Sequence, residues 1–385
     1  MRRDFFKDIK AAKKPASDIF LVNGPTAGSE GFNKLINSMA ARGLLFYRSS
    51  QAGAASGPAG LIGPGDTVII KVNSQWAERG GTNTDLVKSI IQAITAHPGG
   101  FKGEVVIADN GQAQYGTTGK GGWLDYPQNN AEDTAQSNQK VADSFSGFKV
   151  STYLWDNITT TRAKEYSEGD LNDGYVCEDC LNVKNGFMLS YPKFTTRFGT
   201  RISLKQGVWD PKSGKYNSAS LKFINVPVLK SHFIYGVTGC VKHYMGVVSD
   251  KLTAQFGARS HQLVGVGGMG SEMVGTRYPV LNVLDAIWIN AKPKGGPMTP
   301  YPAATRTDVV FAGLDPVALD HWAAKNLLMK VAAEAGHQDL STIDPDFSQG
   351  NSFGAWLRLA SQEIKSAGKQ ATYDPEQMNV YVTEL

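Results

Sequence analysis

The residues best suited to chemistry crowd into one stretch. An apolar run, Phe223-Ile224-Asn225-Val226-Pro227-Val228-Leu229, ends in Lys230 and His232. A glycine-bounded turn, Gly236-Val237-Thr238-Gly239, then leads to Lys242, His243 and Met245. Backbone N–H groups in such a turn can point at a ligand, and a helix starting there favours negative charge. Lys230 and Lys242 add cationic donors. Gly236, Thr238 and Gly239 are therefore candidate contacts to a small anion or an anionic cofactor. Lys71 and Asn73, at the end of another apolar strand, join them. His232 is the candidate general acid/base, since an unperturbed imidazole titrates at about 6.5. The spacing is neither a P-loop nor a dinucleotide fingerprint, because Gly239 runs straight into Cys240-Val241-Lys242. The rival reading is a tight turn flanked by solvated lysines.

Two further sets could bind metal. His232, His243 and His261 could share an ion with Asp109, Asp285 or Asp315, although the spacing fits no short zinc motif. Cys177-Glu178-Asp179-Cys180 is a CxxC between loop signals. It could be half a zinc site completed by Cys240 or a histidine, a redox pair, or two unrelated thiols. Three cysteines cannot supply the four thiolates of an ordinary iron–sulfur cluster.

The elements that must hold these groups alternate between strand and helix. Thr67 to Asn73 is continuously apolar, as in a strand buried on both faces of a parallel sheet. A helix follows through Thr95, capped by Thr84 or Asp85, with Leu86, Ile90, Ile91 and Ile94 inward. Glu104 to Ala108 is the next strand, completing a β-α-β unit whose ligands bind at the strands' C-terminal ends. Further strands are expected at 18–22, 150–155, 308–312 and 378–383, and helices at 31–42, 315–328 and 353–366. The Gly265–Gly270 cluster reads as a flexible lid. The fold expected is α/β: mostly parallel sheet flanked by helices, two lobes around a central cleft, with a polar, aromatic-rich insertion. The segments are a basic N-terminal arm (1–17), a first lobe (18–115), an insertion or lid (116–200), a second lobe with the site loop (201–330), and C-terminal helices and a strand packing back (331–385).

Bulk composition narrows the functions. A chain of 385 residues with 41% hydrophobic content buries roughly three-quarters of its unfolded surface. A net charge of +4 and the lack of any basic run argue against nucleic acid. No apolar run approaches the length of a membrane span. Arg2-Arg3-Asp4-Phe5-Phe6-Lys7 resembles a twin-arginine signal, but charged residues follow it. The sequence as it stands therefore reads as cytoplasmic with a basic arm; export through such a signal is the alternative.

Several blocks resemble the uncharacterised family of domain of unknown function 362. They include Ile70-Lys71-Val72-Asn73, Asn225 to His232, Val237-Thr238-Gly239 with Lys242 and Gly246, Leu284-Asp285-Ala286, and Asp315-Pro316-Val317-Ala318-Leu319-Asp320. The resemblance spans about residues 60–330. Members are sometimes fused to ferredoxin modules, so any cluster role here implies a separate redox protein as partner. More distantly, His232 and Lys242, ten positions apart, resemble the nickel-pincer lactate racemase superfamily. That resemblance implies Lys242 as anchor of a pyridinium-type cofactor, His232 as acid/base and His261 as a metal ligand. The second acid/base histidine it implies would fall near Asp109-Asn110-Gly111, where there is none.

The expectation is an enzyme, isomerase- or oxidoreductase-like, using His232 on an anionic small molecule or cofactor. A metal or redox protein using Cys177, Cys180 and Cys240 is one alternative. A non-catalytic protein whose aromatic insert, Trp123 to Trp155, recognises a sugar or partner is the other.

Overall fold

The computed structural model describes residues 6, 12–14, 16–112, 121–254 and 259–385. The Arg2-Arg3 pair and most of the basic arm lie outside the described residues. In chain order the strands are β1 (Ser17–Asn23), β2 (Tyr47–Arg48), β3 (Ser56–Gly57), β4 (Thr67–Lys71), β5 (Glu104–Asp109) and β6 (Lys149–Leu154). Next come β7 (Gly174–Cys177), β8 (Ser190–Thr195), β9 (Arg201–Ser203), β10 (Gly207–Asp210) and β11 (Lys215–Asn217). The last are β12 (Leu221–Asn225), β13 (Val228–His232), β14 (Gly236–Thr238), β15 (Leu281–Asn290), β16 (Thr305–Gly313) and β17 (Met378–Glu384). The main sheet runs β17-β1-β16-β15-β12-β4-β5-β6, with β13 on β15 and β14 on β13. The block β15-β12-β4-β5-β6 is parallel, while β16 runs against both its neighbours. This is the expected mostly parallel α/β fold.

Burial follows from the strand residues. All of β4 and β5 is buried, and their side chains alternate between faces. Val68, Ile70, Val105 and Ile107 meet helices α1 (Gly31–Ala40) and α2 (Thr84–Thr95) through Phe32, Leu35, Leu86 and Ile90. Ile69, Val106 and Ala108 face the other side, in a cluster with Tyr175, Phe194 and Tyr244. Each fully buried Leu or Ile in these layers contributes about 1.5–3 kcal/mol. Helix α2 begins one residue earlier than expected. Asn83 is its cap, accepting from Asp85 N–H (3.0 Å) and Leu86 N–H (3.1 Å).

Three readings of local structure need correction. Residues 174–217 form a second, antiparallel sheet, β11-β10-β9-β8-β7, which short polar strands had hidden. The 116–200 segment is also more than a lid, because β6 is an edge strand of the main sheet. Gly265–Gly270 is no loose lid either. It enters helix α5 (Gly268–Gly275), numbered after α3 (Asn138–Asp143) and α4 (Asp250–Thr253). A Cβ on Gly270 would stand 2.5 Å from Ala360 O, in the helix Phe353–Ser366. These glycines permit close helix packing.

Strand order locates the crevice. The chain moves β4 to β5 to β6 in one direction, and β12 then returns to the opposite side of β4. Open α/β sheets bind ligands outside strand C-termini at such a reversal. Here those termini are Lys71 on β4, Asp109 on β5 and Asn225 on β12. The apolar run at 221–232 is a strand broken at Val226-Pro227, where proline cannot donate to a ladder. Its two halves both pair with β15.

Candidate functional site

A cavity of about 60 Å3 opens at this reversal. It is lined by Lys71, Asn73, Asp109, His232, Thr238, Lys242 and His261, among others. The structure thus brings together five of the residues expected to bind ligand or react, together with His261. Lys230, Gly236 and Gly239 are not in its wall.

Each cation has a different role. Lys71 is buried and ion-paired to Asp109 (2.8 Å), and it also donates to His243 O (2.8 Å). Burial lowers its pKa, and Asp109 opposes the shift. A Cβ at Gly246 would collide with this pair, so glycine is required there. Lys230 is buried and donates to Gly80 O. Burial, then Lys242, push its pKa well down. Lys242 is 6% exposed, and among the described residues its ammonium has no hydrogen-bond or ion-pair acceptor. Burial, and then Lys71, bring its pKa down to about 7. Two buried oxygens in the same wall, Asn73 Oδ1 and Thr238 Oγ1, likewise have no partner among the described residues. Buried polar atoms are rarely left so.

The histidines are neutral. His232 Nδ1 accepts from Ile234 N–H (3.1 Å) and Tyr235 N–H (3.3 Å), which assigns the proton to Nε2. Burial, then Lys242, His261 and Lys230, push its pKa down. It is a neutral N–H donor, not the half-protonated group expected from an unperturbed imidazole. His261 lies with its ring 6.0 Å from that of His232. Burial and Lys242 bring it down to about 4, Asp250 opposing. His243 Nδ1 donates to Asn225 Oδ1 (2.7 Å), because Asn225 Nδ2 already donates to Cys240 O and Asn282 Oδ1.

The glycine turn is not the expected anion cradle. Gly236–Thr238 is a strand, hairpinned to β13 with His232 opposite Gly236, and the turn falls at Phe233–Tyr235. The backbone donors beyond Gly239 are occupied by the protein's own carboxylate. Asp320 accepts from Cys240 N–H (2.5 Å) and Val241 N–H (2.9 Å). It sits in helix α6 (Pro316–Ala323), which Asp315 caps. Gly239 is needed because a Cβ would strike Asp320. Gly236, at φ +76°, lies against Thr342 O. Both glycines therefore position the loop that carries Lys242.

The cysteines stand apart from this cavity. All three are free; Cys177 and Cys240 are buried and Cys180 is exposed. Burial pushes the Cys177 thiol up to about 11, so it stays protonated, unlike a redox nucleophile. Cys240 is likewise raised by burial and Asp320. Among the described residues no group of three or more His, Cys, Asp or Glu is placed to hold a metal ion. The expected set of His261, Cys177 and Cys180 is not assembled.

Sequence reasoning missed Asp320 as the anchor of the Lys242 loop. It also missed Gln112, whose Oε1 accepts from Asp250 N–H (2.7 Å) in the same wall. Asp320 had a signal, in the Asp-Pro-x-x-x-Asp block that opens α6. Gln112 had none.

The segment carrying Lys230, His232, Lys242 and Asp320 is the part of the chain that matches a known family. The model for "Domain of unknown function (DUF362)" covers residues 215–325. That segment is similar to the family; the match covers less than half of the chain. The matched segment is shorter than the resemblance seen across residues 60–330, and leaves Lys71, Asn73 and Asp109 outside it. The matched segment therefore supplies one wall of the cavity, and the β4 and β5 ends supply the other. No curated protein and no solved structure matches the chain, so the lactate racemase resemblance is not shown. No helix among the described residues is long and apolar enough to cross a membrane.

Proposed function

We propose that the protein is an enzyme that binds a small anionic molecule at the β4–β12 reversal, with Lys242 as the counter-charge. One observation carries this reading: a buried lysine with no hydrogen-bond or ion-pair acceptor among the described residues borders a cavity whose wall also holds the orphaned Asn73 Oδ1, Thr238 Oγ1 and His243 Nε2. Among the described residues the Lys242 ammonium has only the face of the Tyr235 ring, 5.8 Å away. A buried ammonium with no hydrogen-bond or ion-pair acceptor is costly, and an anion removes that cost. Thr238 Oγ1–H can donate to the anion's oxygens, while Asn73 Oδ1, an acceptor, suits a hydroxyl or other donor on the same molecule. His232 Nε2–H is a neutral donor in the same wall, suited to polarising a carbonyl or protonating a developing oxyanion. Loss of that proton would leave imidazolate, so His232 acts first as acid and only afterwards as base. Lys242, titrating at about 7, exchanges protons readily at neutral pH.

The pyridinium-type cofactor of the racemase resemblance does not fit equally well. Asn110 stands where a second acid/base histidine is expected, and its Nδ2 is committed to Thr159 Oγ1 (3.0 Å), Tyr175 OH (2.6 Å) and Val248 O (3.2 Å). No step is derived through such a group.

The test is calorimetric titration with acetate, pyruvate and sulfate, whose charges do not change between pH 6 and 9. Binding should weaken above pH 7, by up to about tenfold per unit, as the ammonium is lost. Lys242→Met should remove binding throughout. Equal affinity in the variant would refute the assignment.

A further inference from the structure

A second cavity adjoins the first and is larger. It holds about 690 Å3, against about 60 Å3 beside Lys242. The inner cavity has room for one small charged group, so the remainder of any larger ligand must lie outside it. Gln75 lines both cavities. The wall between them is tied from both sides. Trp123 N–H donates to Ser74 O (3.1 Å) and Tyr126 OH to Gln75 O (3.2 Å). Ser74 N–H donates to Asp109 Oδ2 (2.6 Å). Gln75 is therefore the side chain at which the two cavities come together.

The chemistry of the outer wall is of two kinds. Trp123 is 51% exposed and Tyr126 meets it edge-on, with centroids 5.5 Å apart and planes at 69°. Much of the indole is left open, and Tyr153 adds a second ring to the wall. Beside these rings stand Gln75, Asn157 and Asp125, whose Oδ1 accepts from Ser137, together with Gln139, whose amide is already paired to Asp143 and Thr152. An aliphatic tail would cover such polar groups without pairing them, which costs free energy. A sugar ring has an apolar C–H face for the indole and hydroxyls for amides and a carboxylate.

We infer that the outer cavity seats the sugar ring of a sugar acid or sugar phosphate whose anionic group enters the Lys242 cavity. This inference rests on the reading of Lys242 as the counter-charge. It makes Trp123 and Gln75 specificity residues and the bound molecule bipartite: a charged head inside, a hydroxylated ring outside.

The experiment is calorimetric titration at pH 6.5 of the full chain, its Trp123→Ala variant and its Lys242→Met variant. The probes are glucuronate, galacturonate, glucose 6-phosphate and ribose 5-phosphate, with acetate and inorganic phosphate as heads alone. At least one sugar anion should bind about tenfold tighter than its head, the scale of one aromatic contact. Trp123→Ala should erase that advantage and leave head binding unchanged, Trp123 being a half-exposed side chain. Sugar anions binding no tighter than acetate and phosphate would overturn the inference, as would an advantage that survives Trp123→Ala. In either outcome, head binding that still disappears in Lys242→Met leaves the Lys242 reading standing. Heads that fail to bind, or bind equally in Lys242→Met, defeat that reading separately.

Discussion

Replacing Asp109 by Asn removes the counter-charge of Lys71 while keeping nearly the same shape. The carboxylate now accepts Ser74 N–H through Oδ2 (2.6 Å) and faces Lys71 Nζ through Oδ1 (2.8 Å). An Asn that keeps the Ser74 bond turns its NH2 toward the ammonium, donor against donor. Both partners are buried, at 1% and 3% side-chain exposure. Breaking such a pair typically costs about 3–5 kcal/mol. Lys71 can escape by losing its proton, which sets a ceiling. With an unfolded pKa of about 10.4, neutralising it costs about 4.6 kcal/mol at pH 7 and about 2 kcal/mol at pH 9. The sign follows from linkage. Lys71 titrates lower in the folded than in the unfolded state, and the substitution widens that gap. Between those two pKa values the unfolded chain holds more protons, so the variant regains stability as pH rises. For 385 residues the unfolding entropy is about 0.8 kcal/mol/K, so a loss of 4 kcal/mol lowers Tm by about 5 °C. Scanning calorimetry of both proteins at pH 7 and pH 9 reads this directly. A Tm difference under 1 °C at pH 7, or one as large at pH 9 as at pH 7, would refute the reasoning.

Other outcomes test the supports of the site. Asp320, raised to about 7 by burial, holds its proton in the folded state where the unfolded chain has lost it. Its contribution is therefore fully present below about pH 4 and lost as pH rises through 7. Asp320→Asn cannot titrate, so its stability relative to the parent should improve between pH 4 and 8 in denaturant titrations; a constant difference would contradict the buried position of Asp320. Gly270→Ala should cost about 1–3 kcal/mol, since its Cβ would lie 2.5 Å from Ala360 O. An unchanged denaturation midpoint would show that α5 can move away without cost.

Much of the layering was legible because it rests on periodicity. Thr67–Lys71 and Glu104–Asp109 are apolar without alternation, and strands buried on both faces require that. The inner face of α1 (Phe32, Leu35, Ile36, Met39) is buried as its spacing implies. The second sheet escaped notice because strands such as Lys215–Asn217 are three residues long and mostly exposed, giving no period to detect. Gly265–Gly270 misled for a different reason. Composition cannot distinguish glycines that loosen a loop from glycines that admit another helix.

The site divides along the same line. Residue type and local spacing determined that Lys71, Lys230 and His232 lie in the last residues of strands and that Asn73 and Lys242 follow shortly after strands, on the side where an α/β sheet binds ligands. Only the tertiary structure decided which of them remains available. Lys71 is taken by Asp109, 38 positions along the chain; Lys230 by Gly80 O, 150 positions before it; the amides after Gly239 by Asp320, some 80 positions away. Lys242 alone among these three lysines is left without an acceptor among the described residues. Such pairings depend on distance in space, and a chain read residue by residue carries no measure of it.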